Sequence, residues 1–166
     1  MNIILFGPPG AGKGTQADKI TKFFNLYRVS TGELLRNEIH KKTDLGNKIK
    51  NIIDKGDFVS DNIINDLIVE ILSDKKIYNR LIFDGYPRNL YQAKNLDSLL
   101  NKFGQKISCV FSLNVEKEMI IKRILGRQTC SKCGLIFNEY FNLATTKNHK
   151  CGDKFLIKRS DDNEKT

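Results

Sequence analysis

No apolar stretch in this 166-residue chain approaches the roughly 20 residues that a membrane-spanning helix needs. A helical membrane protein is therefore excluded. The opening segment MNIILFGPPG has no basic region ahead of its apolar run, which is only four residues long. No secretory signal is read there, and the expected location is cytoplasmic. Internal repeats and low-complexity segments are absent as well. Arginine is scarce, with 7 residues against 21 lysines. The formal net charge of +9 invites a nucleic-acid reading. The lysines are scattered among isoleucines and asparagines, however, so a solvated surface is the simpler account. The few arginines carry more information, because a guanidinium grips phosphate in a planar fork. What remains is 40% hydrophobic and 28% charged, the composition of one globular domain with room for a small insert.

Residues 2–6, NIILF, form a short continuous apolar run that leads at once into glycines. That pattern reads as a buried parallel strand feeding a helix, here from about Lys13 to Phe24. YRVS is a second short strand, and STGE (30–33) has the form of a capping box, with Ser30 as cap and Glu33 reaching back. Helices are expected from there through Ile39, over Gly46–Asp54, from Ser60 through Leu72, over 88–101 and over about 116–126. RLIFDG (80–85) is a third buried strand, and ISCVFSL (107–113) is a further strand. The alternation implies an α/β fold, a doubly wound parallel sheet with helices on both faces. Ligands of such sheets sit at the carboxyl ends of the strands, where Gly7 and Asp84 both fall. After Gly126 the chain changes character: residues 127–158 hold three of the four cysteines and read as a small β-rich insert. RSDDNEKT then has the look of a helix start.

The segment FGPPGAGKGT (6–15) nearly fits the phosphate loop G-x-x-x-x-G-K-S/T, but position 14 is Gly14, with Thr15 one place late. A glycine-rich turn at a helix N-terminus presents backbone N–H groups to an anion, and Lys13 adds a point charge. A plain tight turn needs one glycine, not this set with a lysine. The string GPPGAGKGT resembles the loop of the adenylate kinases and their nucleoside-monophosphate kinase relatives, in which Gly14 followed by Thr15 is the usual form. The resemblance implies ATP binding through Gly10, Ala11, Gly12, Lys13, Gly14 and Thr15, with Mg²⁺ held mainly through water and the nucleotide.

It extends along nearly the whole chain. STGELLR resembles the monophosphate-binding helix, which gives Thr31 to the AMP base region and Arg36 to its phosphate. KGDFVS places Asp57, Phe58 and Val59 around the adenine. FDGYPRNLYQA is a highly specific match. It implies that Asp84 holds metal-bound water, that Gly85, Tyr86 and Pro87 line the AMP site, that Arg88 takes phosphate, and that Gln92 bonds the adenine edge. Arg123, Arg127 and Arg159 would clamp the phosphates, and Ile136 and Phe137 would approach ATP. Five of the seven arginines thus fall on phosphate positions of the family, leaving only Arg28 and Arg80 without a role. Phosphoryl transfer between two nucleotides needs alignment, charge neutralisation and exclusion of water, and no protein nucleophile. Lys13, Asp84, Arg88, Arg123, Arg127 and Arg159 make up the expected catalytic set.

Cys130, Cys133 and Cys151 have metal-ligand spacing, and the C-x-x-C pair reads as zinc or redox. A redox role calls for a thioredoxin-like βαβ setting, which 127–158 lacks. The resemblance implies a structural zinc in a lid, with the fourth ligand three residues after the third cysteine. That position is Lys154, so Asp153 or His149 is left to complete the set. Cys109, in an apolar strand, reads as a small buried hydrophobe.

The domains expected are a core at 1–29 and 60–126 that resumes at 163–166, an AMP flap at 30–59 and a zinc-bearing lid at 127–162 anchored by Asp161 and Asp162. Against the family pattern the C-terminus is expected to be truncated, leaving four core strands and one bare flank. The expected partners are ATP and AMP, with Mg²⁺ and a structural Zn²⁺, in a monomer that engages neither nucleic acid nor membrane. Kinases of UMP/CMP or GMP are the nearest alternative. A zinc-knuckle nucleic-acid binder is the alternative from another class, but it gives Gly7–Thr15 and Asp84 nothing to do. A GTPase switch would need Ser or Thr at position 14 and an N-K-x-D motif, which is missing.

Overall fold

The computed structural model describes residues 1–55, 57, 59–159 and 162. The chain divides into two compact units, Met1–Phe6 with Gln16–Ser112, and Gly7–Thr15 with Leu113–Thr166.

The first unit is built on β1 (Asn2–Phe6), β2 (Tyr27–Ser30), β3 (Leu81–Asp84) and β4 (Ile107–Ser112). All pairings are parallel, in the order β2-β3-β1-β4. Parallel neighbours need long crossovers. These are supplied by α1 (Lys13–Phe24), α2 (Thr31–Lys41), α3 (Asp44–Asp54), α4 (Asp61–Ser73) and α5 (Leu90–Lys102). Successive strand side chains point to opposite faces, and both faces are covered. Ile4, Val29 and Phe83 pack with Ile68 and Leu72 of α4 and Leu96 and Leu100 of α5. Ile3, Leu5 and Ile82 pack with Ala17 of α1 and with Leu26. Two-sided burial is why these strands read as unbroken apolar runs. Each such aliphatic side chain contributes roughly 1.5–3 kcal/mol, so these clusters hold the unit.

Asn2 fixes register at the amino ends of the strands. Its buried amide donates to Gln105 Oε1 (3.2 Å) and accepts from the Leu81 N–H (3.1 Å). At the outer edge, β4 leaves Val110 and Phe111 about half exposed.

Three local expectations shift. The helix expected at 88 starts at Leu90, because Asn89 caps it by accepting from the Gln92 N–H at 2.7 Å. The helix expected at Gly46 starts at Asp44, behind Thr43, whose hydroxyl accepts from the Gly46 N–H. The capping box does not form. Ser30 is the N-cap of α2 but makes no side-chain cap bond, and Glu33 turns instead to Arg28.

The second unit holds the glycine loop, α6 (Lys117–Leu125) and a small antiparallel sheet of β5 (Arg127–Cys130), β6 (Ile136–Asn138) and β7 (Leu156–Ile157), in the order β6-β5-β7. The helix start read in RSDDNEKT lies outside the described residues, apart from Arg159 and Asp162.

Candidate active site

In the second unit, Gly7–Thr15 forms the turn that opens α1. Gly10 has φ +75°, and a Cβ there would lie 2.9 Å from Ile124 of α6, so the loop is seated against that helix as only glycine permits. The first turn of α1 carries no acidic residue. The N–H groups of a helix's first turn and the positive end of its dipole favour an anion at this point. Lys13 Nζ donates to the carbonyls of Gly7 (2.8 Å) and Pro8 (2.9 Å), folding the ammonium over the loop. Arg123 of α6 donates to Ala11 O at 3.3 Å, so a guanidinium reaches the same loop. Arg127, on β5, is forked by Asp162: its Nε donates to Oδ2 at 2.8 Å and its Nη2 to Oδ1. Arg159 follows β7.

In the first unit, two of the residues assigned to the monophosphate, Thr31 and Arg88, meet at one peptide oxygen. Gly85 O accepts from Thr31 Oγ1 (3.2 Å) and from Arg88 Nε (2.8 Å). Gln92 is buried on α5. Its Oε1 accepts from the Arg88 N–H at 2.7 Å, and its Nε2 donates to Asp61 Oδ1. Tyr86 is fully buried, and burial pushes its phenol up to about 12, so it stays a neutral donor, bonded to Asn65. The Tyr86–Pro87 peptide is cis. Arg36 folds over Gly32, where a Cβ would lie 3.2 Å from its Nη1. Asp57 is exposed and Val59 is half-buried, while Phe58 lies outside the described residues. Asp84, at the end of β3, is buried and lies beside Leu5 in the sheet, two residues before the loop begins.

The small sheet brings Cys130, Cys133, Cys151 and His149 together, with their ligand atoms within 4.8 Å of one another. The fourth member is His149 and not Asp153, which sits in a short 3-10 turn after Gly152. His149 Nε2 is buried without a hydrogen-bond partner, the condition of a nitrogen waiting for a ligand. Burial would raise the Cys130 thiol, but hydrogen bonds from His149 and from the Cys133 and Lys132 backbone outweigh it and bring it down to about 6. Cys151 is pushed up to about 11 by burial and by the neighbouring thiols. Three thiols and an imidazole suit tetrahedral zinc. Phe137, read as an ATP contact, is buried with its ring 4.9 Å from that of His149, while Ile136 beside it is half-buried.

Two residues escaped the sequence reading. Arg28 pairs with Asp84, and Asp61 holds Gln92. A signal for the first was present. Arg28 and Ser30 lie on one face of β2, and Ser30 is level with Asp84.

The adenylate kinase family model matches residues 5–166. The chain belongs to the adenylate kinase family. It is 55% identical over 163 residues to an adenylate kinase of Pelagibacter ubique, covering 98% of this chain and 76% of that protein. An adenylate kinase of Petrotoga mobilis is 42% identical over 167 residues (99% and 75% covered), and one of Archaeoglobus fulgidus is 39% identical over 168 (100% and 77%). Membership makes this chain a nucleoside-monophosphate kinase, a phosphotransferase with the phosphate-loop α/β fold. No described helix is long and apolar enough to cross a membrane.

Proposed function

We propose that this chain transfers a phosphoryl group reversibly from MgATP to AMP, giving two molecules of ADP. The observation that carries the reading is the knot of Thr31, Gly85, Arg88 and Gln92, which sets a hydroxyl, a guanidinium and a buried amide within a few bonds of one another. That set suits a purine monophosphate: a guanidinium for the phosphate, and an amide able to donate and accept on the base edge. Arg36 adds a second cation to the monophosphate side. On the ATP side, the backbone N–H groups at the start of α1, with Lys13 and Arg123, supply the charge neutralisation that phosphoryl transfer demands. The nucleotide's Mg²⁺ arrives with it as part of the substrate, and Asp84 is the carboxylate offered to its water shell. Arg127 and Arg159 complete the phosphate-binding cations of the lid, and Asp162 aims the first of them.

Cys130, Cys133, His149 and Cys151 would hold a zinc ion that staples the lid sheet and takes no part in the chemistry. The four cysteines are all free, which agrees with a reducing, cytoplasmic setting. A monomer without nucleic-acid or membrane partners completes the reading.

A coupled assay with ATP against AMP, UMP, CMP and GMP tests it. AMP is expected to be preferred, and a preference for UMP would reassign the substrate. Tight binding of two adenosines joined by five phosphates is the second expected result. Salt-sensitive RNA binding without it would point to the nucleic-acid alternative.

A further inference from the structure

Arg28 is the centre of a four-residue charge cluster. Its Nε and Nη2 donate to Asp84 Oδ2 at 3.2 and 2.7 Å, its Nη1 reaches Asp18 at 2.8 Å and its Nη2 reaches Glu33 at 3.2 Å. Arg28 and Asp84 are largely buried, whereas Asp18 and Glu33 are half exposed. Burial would lower the affinity of Arg28 for its proton, but Glu33 and Asp84 outweigh this and hold it above the ordinary value. The guanidinium is therefore a fixed cation. Among the described residues, both bonds to Asp84 land on Oδ2 and none lands on Oδ1.

A lone cation beside a carboxylate meant to serve Mg²⁺ would oppose the metal. Here three carboxylates surround one guanidinium, so the cluster keeps a net charge of −2. A simple surface ion pair would need neither the buried fork nor the two compensating acids.

We infer that Arg28 is a positioning residue: it locks the Asp84 carboxylate by one oxygen and so presents the other to the water shell of the nucleotide's Mg²⁺. Glu33, on the first turn of α2, ties that orientation to the helix that carries Thr31 and Arg36. Asp18, on α1, holds the far side of the fork. This inference rests on the kinase reading.

The test is calorimetric binding of the two-adenosine pentaphosphate to the full chain, with and without Mg²⁺, for Arg28→Met, Arg28→Lys, Asp84→Asn and the Arg28→Met/Asp84→Asn pair. The tightening brought by Mg²⁺ is expected to fall about tenfold in Arg28→Met, as for loss of an outer-shell partner, while affinity without Mg²⁺ stays within about twofold. Arg28→Lys keeps the charge but loses the fork, and is expected to fall between wild type and Arg28→Met. In the Asp84→Asn background, removing Arg28 should add nothing. Equal losses with and without Mg²⁺, or full additivity in the pair, would overturn the inference. If Arg28→Met does not fold, Arg28→Lys carries the same decision, and a wild-type Mg²⁺ effect in that variant counts against the inference. A wild-type chain that ignores the analogue altogether would instead bring down the kinase reading on which it stands.

Discussion

The four-stranded and three-stranded sheets hold themselves together by different means. The first buries two apolar clusters, one on each face, and its strands run four to six residues. The second has strands of four, three and two residues. Its buried side chains, among the described residues, centre on Cys130, Phe137 and His149. So small a sheet cannot bury enough surface to order itself, and a ligated metal is the usual remedy. The groups proposed to bind the nucleotides show the same contrast. Thr31, Arg88 and Gln92 are bonded to one another or to one shared carbonyl, whereas Lys13 rests on loop carbonyls that phosphate must displace. One half is ordered before its ligand arrives, and the other is completed by its ligand.

Chelating the proposed zinc should separate the halves most sharply. With zinc a thousandfold above its Kd, its loss is expected to cost the lid about 4 kcal/mol, read as amide exchange in β5, β6 and β7 with little change in β1 and β3. Equal loosening of both sheets would erase the distinction. Next in size, Lys13→Met is expected to lower kcat by roughly 10²–10³, the order for one lost charge-stabilising donor, with thermal stability preserved. Gly46→Ala comes third. A Cβ at Gly46 would fall 2.1 Å from the carbonyl oxygen of Glu38, so α2 and α3 must part, at an expected cost of about 1–3 kcal/mol in a denaturant titration. The smallest effect is expected for Asp61→Asn, which loosens Gln92 by about 1 kcal/mol and raises KM for AMP with kcat nearly constant. A fall in kcat instead would show that Asp61 does more than hold an amide.

The core was legible because NIILF and LIFD are buried strands whose apolar runs say so without alternation, and because helical spacing marks α4 and α5. ISCVF shows the same apolar run, yet it forms the edge strand β4 and is half-buried or exposed along its length. The loop and the Gly85–Gln92 knot were legible because both are local in the chain. What stayed hidden depended on partners far apart in sequence. STGE has the spacing of a capping box, but Glu33 is drawn off by Arg28, which the sheet brings beside Asp84, 56 residues on. The fourth candidate metal ligand could be narrowed to His149 or Asp153, and only the fold of the insert brings His149 beside the three cysteines. Phe58 and Asp161 fall outside the described residues.

The tight seat of Gly46 against Glu38 has a mechanical meaning. Two helices whose backbones touch have no slack for a side chain to take up, so α2 and α3 are packed as one rigid pair. The spacing between Thr31 and Arg36 on α2 and the residues of α3 is thereby set by backbone contact and not by side chains.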